Sequence, residues 1–258
     1  MLRPKLGQHF LVKGAILERI AAAACPSREN LVIEIGPGRG ALTERLLQRA
    51  DRVVAVEVDP YLVAHLRARF AGDPRLQVVH ADVLEAGLAQ WGRAPVVGNL
   101  PYYITSPILM RLFRFHDVLT DIVIMVQKEV ADRIAAKPSS RDYGLLSATA
   151  QLYTKVEKLF TLPPGAFSPP PKVHSTVLRL VVEPQLEKLK VPGAAFEEYL
   201  KVSFGQKRKT LANNLRERYS KEDIANALSA AGVKADARAE AIPLAKAAAV
   251  FRNLQGAD

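Results

Sequence analysis

The 258-residue chain has a single cysteine, Cys25, which excludes an internal disulfide and a cysteine-based metal site. No apolar run is long enough to cross a bilayer, and the opening MLRPKLGQHFLVKGAIL lacks the apolar centre of a secretory leader. Neither a G-x-x-x-x-G-K-[ST] phosphate loop nor a G-x-S-x-G elbow occurs. The five histidines, His9, His65, His80, His116 and His174, show no metal-ligand spacing, so no metal is expected. Aromatic residues are only 7% of the chain, and the one tryptophan, Trp91, is expected in the core or at its rim. Acid is also scarce: 26 Asp and Glu face 36 Lys and Arg, a formal charge of +10. The expectation is a cytoplasmic protein with neither membrane nor metal as partner.

What is present argues for a folded chain with an anionic partner. At 49% hydrophobic residues, a sizeable core can form. The positive charge is concentrated. Lys201, Lys207, Arg208, Lys209, Arg216, Arg218 and Lys221 fall in one window with a single acid, Glu217, for a net +6. A solvated helix face explains scattered lysines better than it explains such a cluster, so polyanion binding is favoured.

Along the chain, short apolar runs alternate with helical patterns. LVIEIG, RVVAVEVD, LQVVHAD, APVVGN and DIVIMVQ read as strands; ALTERLLQRA, PYLVAHLRARF, ITSPILMRLFRF and KEVADRIAA read as helices. This alternation predicts an α/β fold with a mainly parallel, doubly wound sheet. KVEKLFTL and STVLRLVV then follow with no helix between them, which predicts an antiparallel finish. Beyond Pro184 only short helical patterns remain: AAFEEYLKVSF, KRKTLANNLRERY, KEDIANALSAAG and PLAKAAAVFRNL. Two domains are expected, 1–184 and an all-α 185–258.

Chemistry collects at the expected strand ends. EIGPGRG follows the first strand of the series, and Gly36, Gly38 and Gly40 permit a tight turn with no Cβ to block a nucleotide-like ligand. The helix N-terminus beyond it adds free N–H groups. Glu57 ends the next strand and can accept from ribose hydroxyls. Asp82 ends the third and can accept from an adenine amine. The glycines also fit a degenerate dinucleotide fingerprint, so NAD and S-adenosylmethionine both remain open on that motif alone. Three features favour S-adenosylmethionine: the shortened G-x-G-x-G spacing, the extra contact at Asp82, and a fourth strand end, Asn99-Leu100-Pro101-Tyr102, with no use in hydride transfer.

That fourth end suits methylation of an adenine amine. The amine's lone pair is delocalised into the ring, and acceptors on its two N–H groups favour the pyramidal geometry that frees it. The Asn99 side-chain oxygen and the Leu100 carbonyl can be those acceptors, with Pro101 holding Leu100 extended. Tyr102 offers a ring for a splayed base. Phe167, in a proline-stiffened loop, is a candidate second stacking face; a buried loop anchor is the alternative reading.

GQHFL, EIGPGRGALT, VEVD, NLPYYITSPIL, MVQKEVADRI, YGLLS, FSPPPKVHST and FGQKRKTLANNL, in this order and over most of the chain, resemble the KsgA/RsmA family of ribosomal RNA dimethyladenosine transferases. The resemblance implies a Rossmann-like class I methyltransferase domain and a small helical RNA-binding domain. It implies S-adenosylmethionine-dependent N6,N6-dimethylation of two adjacent adenines near the 3′ end of small-subunit (16S) rRNA during ribosome maturation, with rRNA in a pre-30S particle as partner and a monomeric enzyme. By motif, His9, Leu11, Gly36, Gly38, Glu57, Asp82 and Asn99 would contact the cofactor. Asn99, Leu100, Pro101, Tyr102 and Phe167 would form the base site. Lys207, Arg208, Lys209, Arg216 and Arg218 would lie on a basic helix contacting phosphate. His9 stands where the family often has Asn. The rival readings are a large-subunit rRNA adenine methyltransferase, a non-catalytic assembly factor on the same scaffold, and a small-molecule methyltransferase, the last in conflict with the basic window.

Overall fold

The computed structural model describes residues 9–256, so Gly7 and Gln8 of the GQHFL motif lie outside the described residues. The strands are β1 (Phe10–Leu11), β2 (Val32–Ile35), β3 (Val53–Glu57), β4 (Leu76–His80), β5 (Ala94–Asn99), β6 (Leu119–Gln127), β7 (Thr154–Leu162), β8 (Phe167–Ser168) and β9 (Ser175–Val182). The helices are α1 (Gly14–Ala24), α2 (Ala41–Leu46), α3 (Pro60–Arg69), α4 (Thr105–Arg114), α5 (Lys128–Ile134), α6 (Leu145–Tyr153), α7 (Leu186–Leu189), α8 (Gly193–Ser203), α9 (Leu211–Leu215), α10 (Lys221–Ala230) and α11 (Leu244–Gln255).

Seven strands form one sheet in the order β4-β3-β2-β5-β6-β9-β7. Pairing is parallel from β4 through β6, and β9 runs antiparallel to β6. The mostly parallel sheet with an antiparallel finish is therefore present. β2, β3 and most of β5 are buried on both faces, which is why they read as unbroken apolar runs rather than alternating ones. Chain order reverses between β2 and β5, and such a reversal opens a crevice at the carboxyl ends of the strands. The core beneath it joins Leu17, Ile20, Val32, Leu46, Val53, Val97 and Val123.

The sequence does not announce the two-residue strands β1 and β8. They pair antiparallel, Phe10 with Ser168 and Leu11 with Phe167, and too few residues alternate in either to leave a period.

The chain divides into two compact units. The first holds residues up to Ala131 and Val156–Val182, and the second holds Asp132–Lys155 and everything from Glu183. The expected division at 184 falls beside Val182–Glu183, but residues 132–155 differ from expectation in belonging with the tail. Their ties to it are specific: the Tyr153 hydroxyl donates to Glu197 Oε1 at 2.5 Å, and the Glu183 and Gln185 amides donate to the carbonyls of Tyr153 and Leu152. Phe196, Tyr199 and Phe251 stack and tilt against one another at centroid distances of 5.3 to 5.7 Å, forming an aromatic centre for the unit.

One helix is shorter than its pattern. KRKTLANNLRER is helical only over α9. The Thr210 hydroxyl accepts from the Asn213 amide and caps the helix, so Lys207, Arg208 and Lys209 lie in the turn before it. The amides of Arg218 and Tyr219 both return to the Leu215 carbonyl, which closes the far end.

Candidate active site

The crevice begins at Gly36, Gly38 and Gly40, all at positive φ (65°, 59° and 81°), a region that side chains with a Cβ rarely adopt. The Gly40 amide closes the turn on the Pro37 carbonyl at 2.9 Å. Gly98 serves a different need. A Cβ there would sit 2.5 Å from the Ile35 carbonyl oxygen, so its absence lets β5 lie close against β2. This approach brings the Asn99 main chain beside Gly36.

Glu57, 3% exposed at the end of β3, faces the turn. Its Oε1 accepts from the amides of Val58 and Asp59 at 3.0 Å each, and its Oε2 from the Gly38 amide at 3.2 Å. Burial raises its pKa, and the three amides oppose that rise. With three bonds made, about one of a carboxylate's four acceptor positions stays open on Oε2. Asp82 lies just past β4, half-buried, with Oδ1 accepting from the Leu84 amide at 2.8 Å. Turn, Glu57, Asp82 and Asn99 thus lie at the ends of four adjacent strands.

Asn99 has one side-chain bond among the described residues, and it sets the orientation of the amide. Its Nδ2 donates to the His9 carbonyl at 2.9 Å. A carbonyl can only accept, so the amide oxygen must face the other way. The Leu100 amide donates to the Met125 carbonyl, while the Leu100 carbonyl takes no backbone donor among the described residues. The Pro101 carbonyl accepts from the Ile104 amide and the Thr105 hydroxyl, turning the chain into α4. Two acceptors, Asn99 Oδ1 and Leu100 O, are left without donors among the described residues.

Tyr102 is half-buried, with its hydroxyl 2.6 Å from Ser175 Oγ and its ring stacked on His9 at 5.8 Å. Burial raises its pKa against the lowering effect of the Ser175 bond. Phe167, the expected second stacking face, is placed by the structure in the core. It is 4% exposed within the core around Leu11, Leu162 and Ala166, turned inward by its pairing with Leu11. Leu11 is likewise a core side chain.

Two features were not legible. The carbonyl that orients Asn99 is main chain and carries no sequence signal. Glu34, in β2, is 1% exposed and accepts from the Thr43 hydroxyl at 2.6 Å. Burial pushes its pKa up to about 8; the Thr43 bond opposes this and the nearby Glu57 charge adds to it. A carboxyl inside an otherwise apolar strand was the available signal.

In the second unit Lys207, Arg208, Lys209, Arg216 and Arg218 are all exposed. Lys207 Nζ donates to the Arg141 carbonyl at 2.8 Å, which adds exposed Arg141 to the cluster. Glu198, outside the counted window, pairs with Arg218 at 2.7 Å and Lys201 at 3.3 Å and offsets part of the charge. Among the described residues no group of three or more His, Cys, Asp or Glu is placed to hold a metal ion. No helix among them is long and apolar enough to cross a membrane.

A reversing parallel sheet, a glycine turn under two carboxylates and an Asn-Leu-Pro-Tyr turn define a Rossmann-like methyltransferase. The sequence model described as ribosomal RNA adenine dimethylase matches residues 1–256. Similar curated proteins include the ribosomal RNA small subunit methyltransferases A of Koribacter versatilis (50% identity, covering 98% of this chain and 94% of the relative) and Acidobacterium capsulatum (50%, covering 98% and 91%). Among solved structures, the 23S rRNA methyltransferase ErmE is 29% identical with a TM-score of 0.71 over 95% of this chain and 99% of that one. A dimethyladenosine transferase from Plasmodium falciparum reaches a TM-score of 0.82 at 22% identity, covering 96% and 98%, a likeness of fold. The chain belongs to the ribosomal RNA adenine dimethylase family.

Proposed function

We propose that this protein dimethylates N6 of two adjacent adenines near the 3′ end of small-subunit (16S) rRNA, using S-adenosylmethionine, during maturation of the small ribosomal subunit. The observation that carries the reading is the fixed Asn99 amide, whose oxygen is turned away from the His9 carbonyl, next in the chain to a Leu100 carbonyl without a backbone donor among the described residues. The glycine turn fits a bound cofactor: its three glycines take a backbone that a Cβ would strain, and one Glu57 acceptor position stays open there. His9, Leu11, Gly36, Gly38, Glu57, Asp82 and Asn99 would hold S-adenosylmethionine, Leu11 through its backbone because its side chain is in the core. The cofactor supplies an electrophilic methyl group on a sulfonium.

The residues of the chain then act on the base. Asn99 Oδ1 and Leu100 O accept from the two amine N–H groups, draw the nitrogen toward pyramidal geometry and aim its lone pair. Both acceptors are preset, Asn99 by the His9 carbonyl and Leu100 by Pro101, so little reorganisation is needed at the moment of reaction. Tyr102 stacks the base. Lys207, Arg208, Lys209, Arg216 and Arg218 neutralise phosphate and set register. The enzyme acts as a cytoplasmic monomer on a pre-30S particle.

The 29% identity to a 23S rRNA methyltransferase favours one rival, action on large-subunit rRNA. Primer-extension mapping in a deletion strain separates the two: the proposal expects loss of marks on the small subunit, and loss confined to the large subunit contradicts it.

A further inference from the structure

We propose that Ser175 is a positioning residue for methyl transfer, its hydroxyl anchoring the Tyr102 ring so that a fixed plane meets the adenine. The proposal rests on the reading of the base site above. Tyr102 begins a single 3-10 turn, Tyr102–Ile104, outside the sheet. There its backbone leaves the ring rotation broad. Ser175 opens β9, is fully buried and pairs with Gln127 of β6, so it is fixed to the sheet itself. Its Oγ lies 2.6 Å from the Tyr102 phenolic oxygen, and this bond ties the far end of the ring to the rigid element.

The face of the ring is set separately. The His9 imidazole stacks on it at 5.8 Å and 29°. His9 Nδ1 is 2.8 Å from the Pro169 carbonyl oxygen, which can only accept, so Nδ1 is the donor and the imidazole is held in turn. One ring face is thus covered by His9, and in this proposal the base meets the opposite face. The phenol is neutral, since burial raises its pKa, and its hydroxyl is engaged by Ser175. In this proposal Tyr102 serves as a plane.

The test compares wild type, Ser175→Ala, Tyr102→Phe and the double variant. Readouts are kcat and KM for S-adenosylmethionine on small-subunit particles, and the fluorescence of 2-aminopurine placed at the target adenine in an RNA fragment. Each single variant should lower kcat about tenfold, with KM for S-adenosylmethionine unchanged within about twofold. The double variant should be no worse than the weaker single, because both remove one bond. The 2-aminopurine quenching by stacking should fall in every variant. Wild-type kcat in Ser175→Ala, losses that multiply in the double variant, or unchanged quenching each overturn the proposal. Should Ser175→Ala fail to fold, Tyr102→Phe removes the same bond, and wild-type kcat there overturns it too. Absence of both transfer and quenching in the wild type would instead defeat the base-site reading and the proposal with it.

Discussion

Asn99 can be assigned one orientation because its neighbour has only lone pairs to offer: the His9 carbonyl takes the NH2 end, so the oxygen faces away from it. Asn99→Ala removes that acceptor while leaving the turn and Glu57 in place. Its methyl transfer should fall at least about a hundredfold, the scale of losing one preorganised transition-state partner. Its affinity for S-adenosylmethionine, measured by calorimetry, should fall only modestly; full turnover would remove the assigned role. Glu34 supplies a second prediction at this scale. Its folded-state pKa, about 8, lies above the ordinary glutamate value of about 4.3. The folded state therefore holds a proton that the unfolded state releases, and stability falls as pH rises from about 4 to about 8. Denaturant unfolding of Glu34→Gln across that range should show a flatter decline than wild type. An identical decline would mean that Glu34 is ionised in the fold. Both residues stood in quoted motifs, yet only Asn99 drew attention in the sequence, because it ends a strand in series with the glycine turn, Glu57 and Asp82, whereas the burial of Glu34 depends on packing from both sheet faces.

Among the elements, β2 and β5 are held at an approach that tolerates no side chain at Gly98. Gly98→Ala would place a Cβ 2.5 Å from the Ile35 carbonyl oxygen and force the strands apart. It should cost roughly 1–3 kcal/mol, read from the shift in the urea midpoint, and should weaken cofactor binding because Gly36 and Asn99 part together. Wild-type stability would show that the strands separate freely. The parallel strands were legible because burial on both faces leaves continuous runs such as VVAVEV, and the site was legible wherever a polar residue ended such a run. What escaped was non-local or too short. The β1–β8 pair spans two residues per strand across more than 150 positions of sequence. Phe167 in the same loop is spaced like an exposed aromatic but is turned inward by that pairing. The basic helix begins only after Thr210, whose N-capping role a run of good helix formers concealed.

On the scale of the whole molecule, one unit holds the glycine turn, Glu57, Asp82 and Asn99 and the other holds the exposed basic cluster. Residues 132–155 join the second unit through hydrogen bonds to residues 30 or more positions away, a connection that no local pattern encodes. Neutralising Lys207, Arg208 and Lys209 together should weaken RNA binding and reduce the slope of log K against log salt by about 2. An unchanged slope would place the phosphate contacts elsewhere. The central claim, two preset acceptors presenting an adenine amine of small-subunit rRNA for methylation, is tested most directly by incubating the protein with small-subunit particles from a deletion strain and isotopically labelled S-adenosylmethionine, then analysing rRNA fragments by mass spectrometry. The account predicts two adjacent N6,N6-dimethyladenines near the 3′ end. Label elsewhere in the rRNA, or on an atom other than N6, would contradict it.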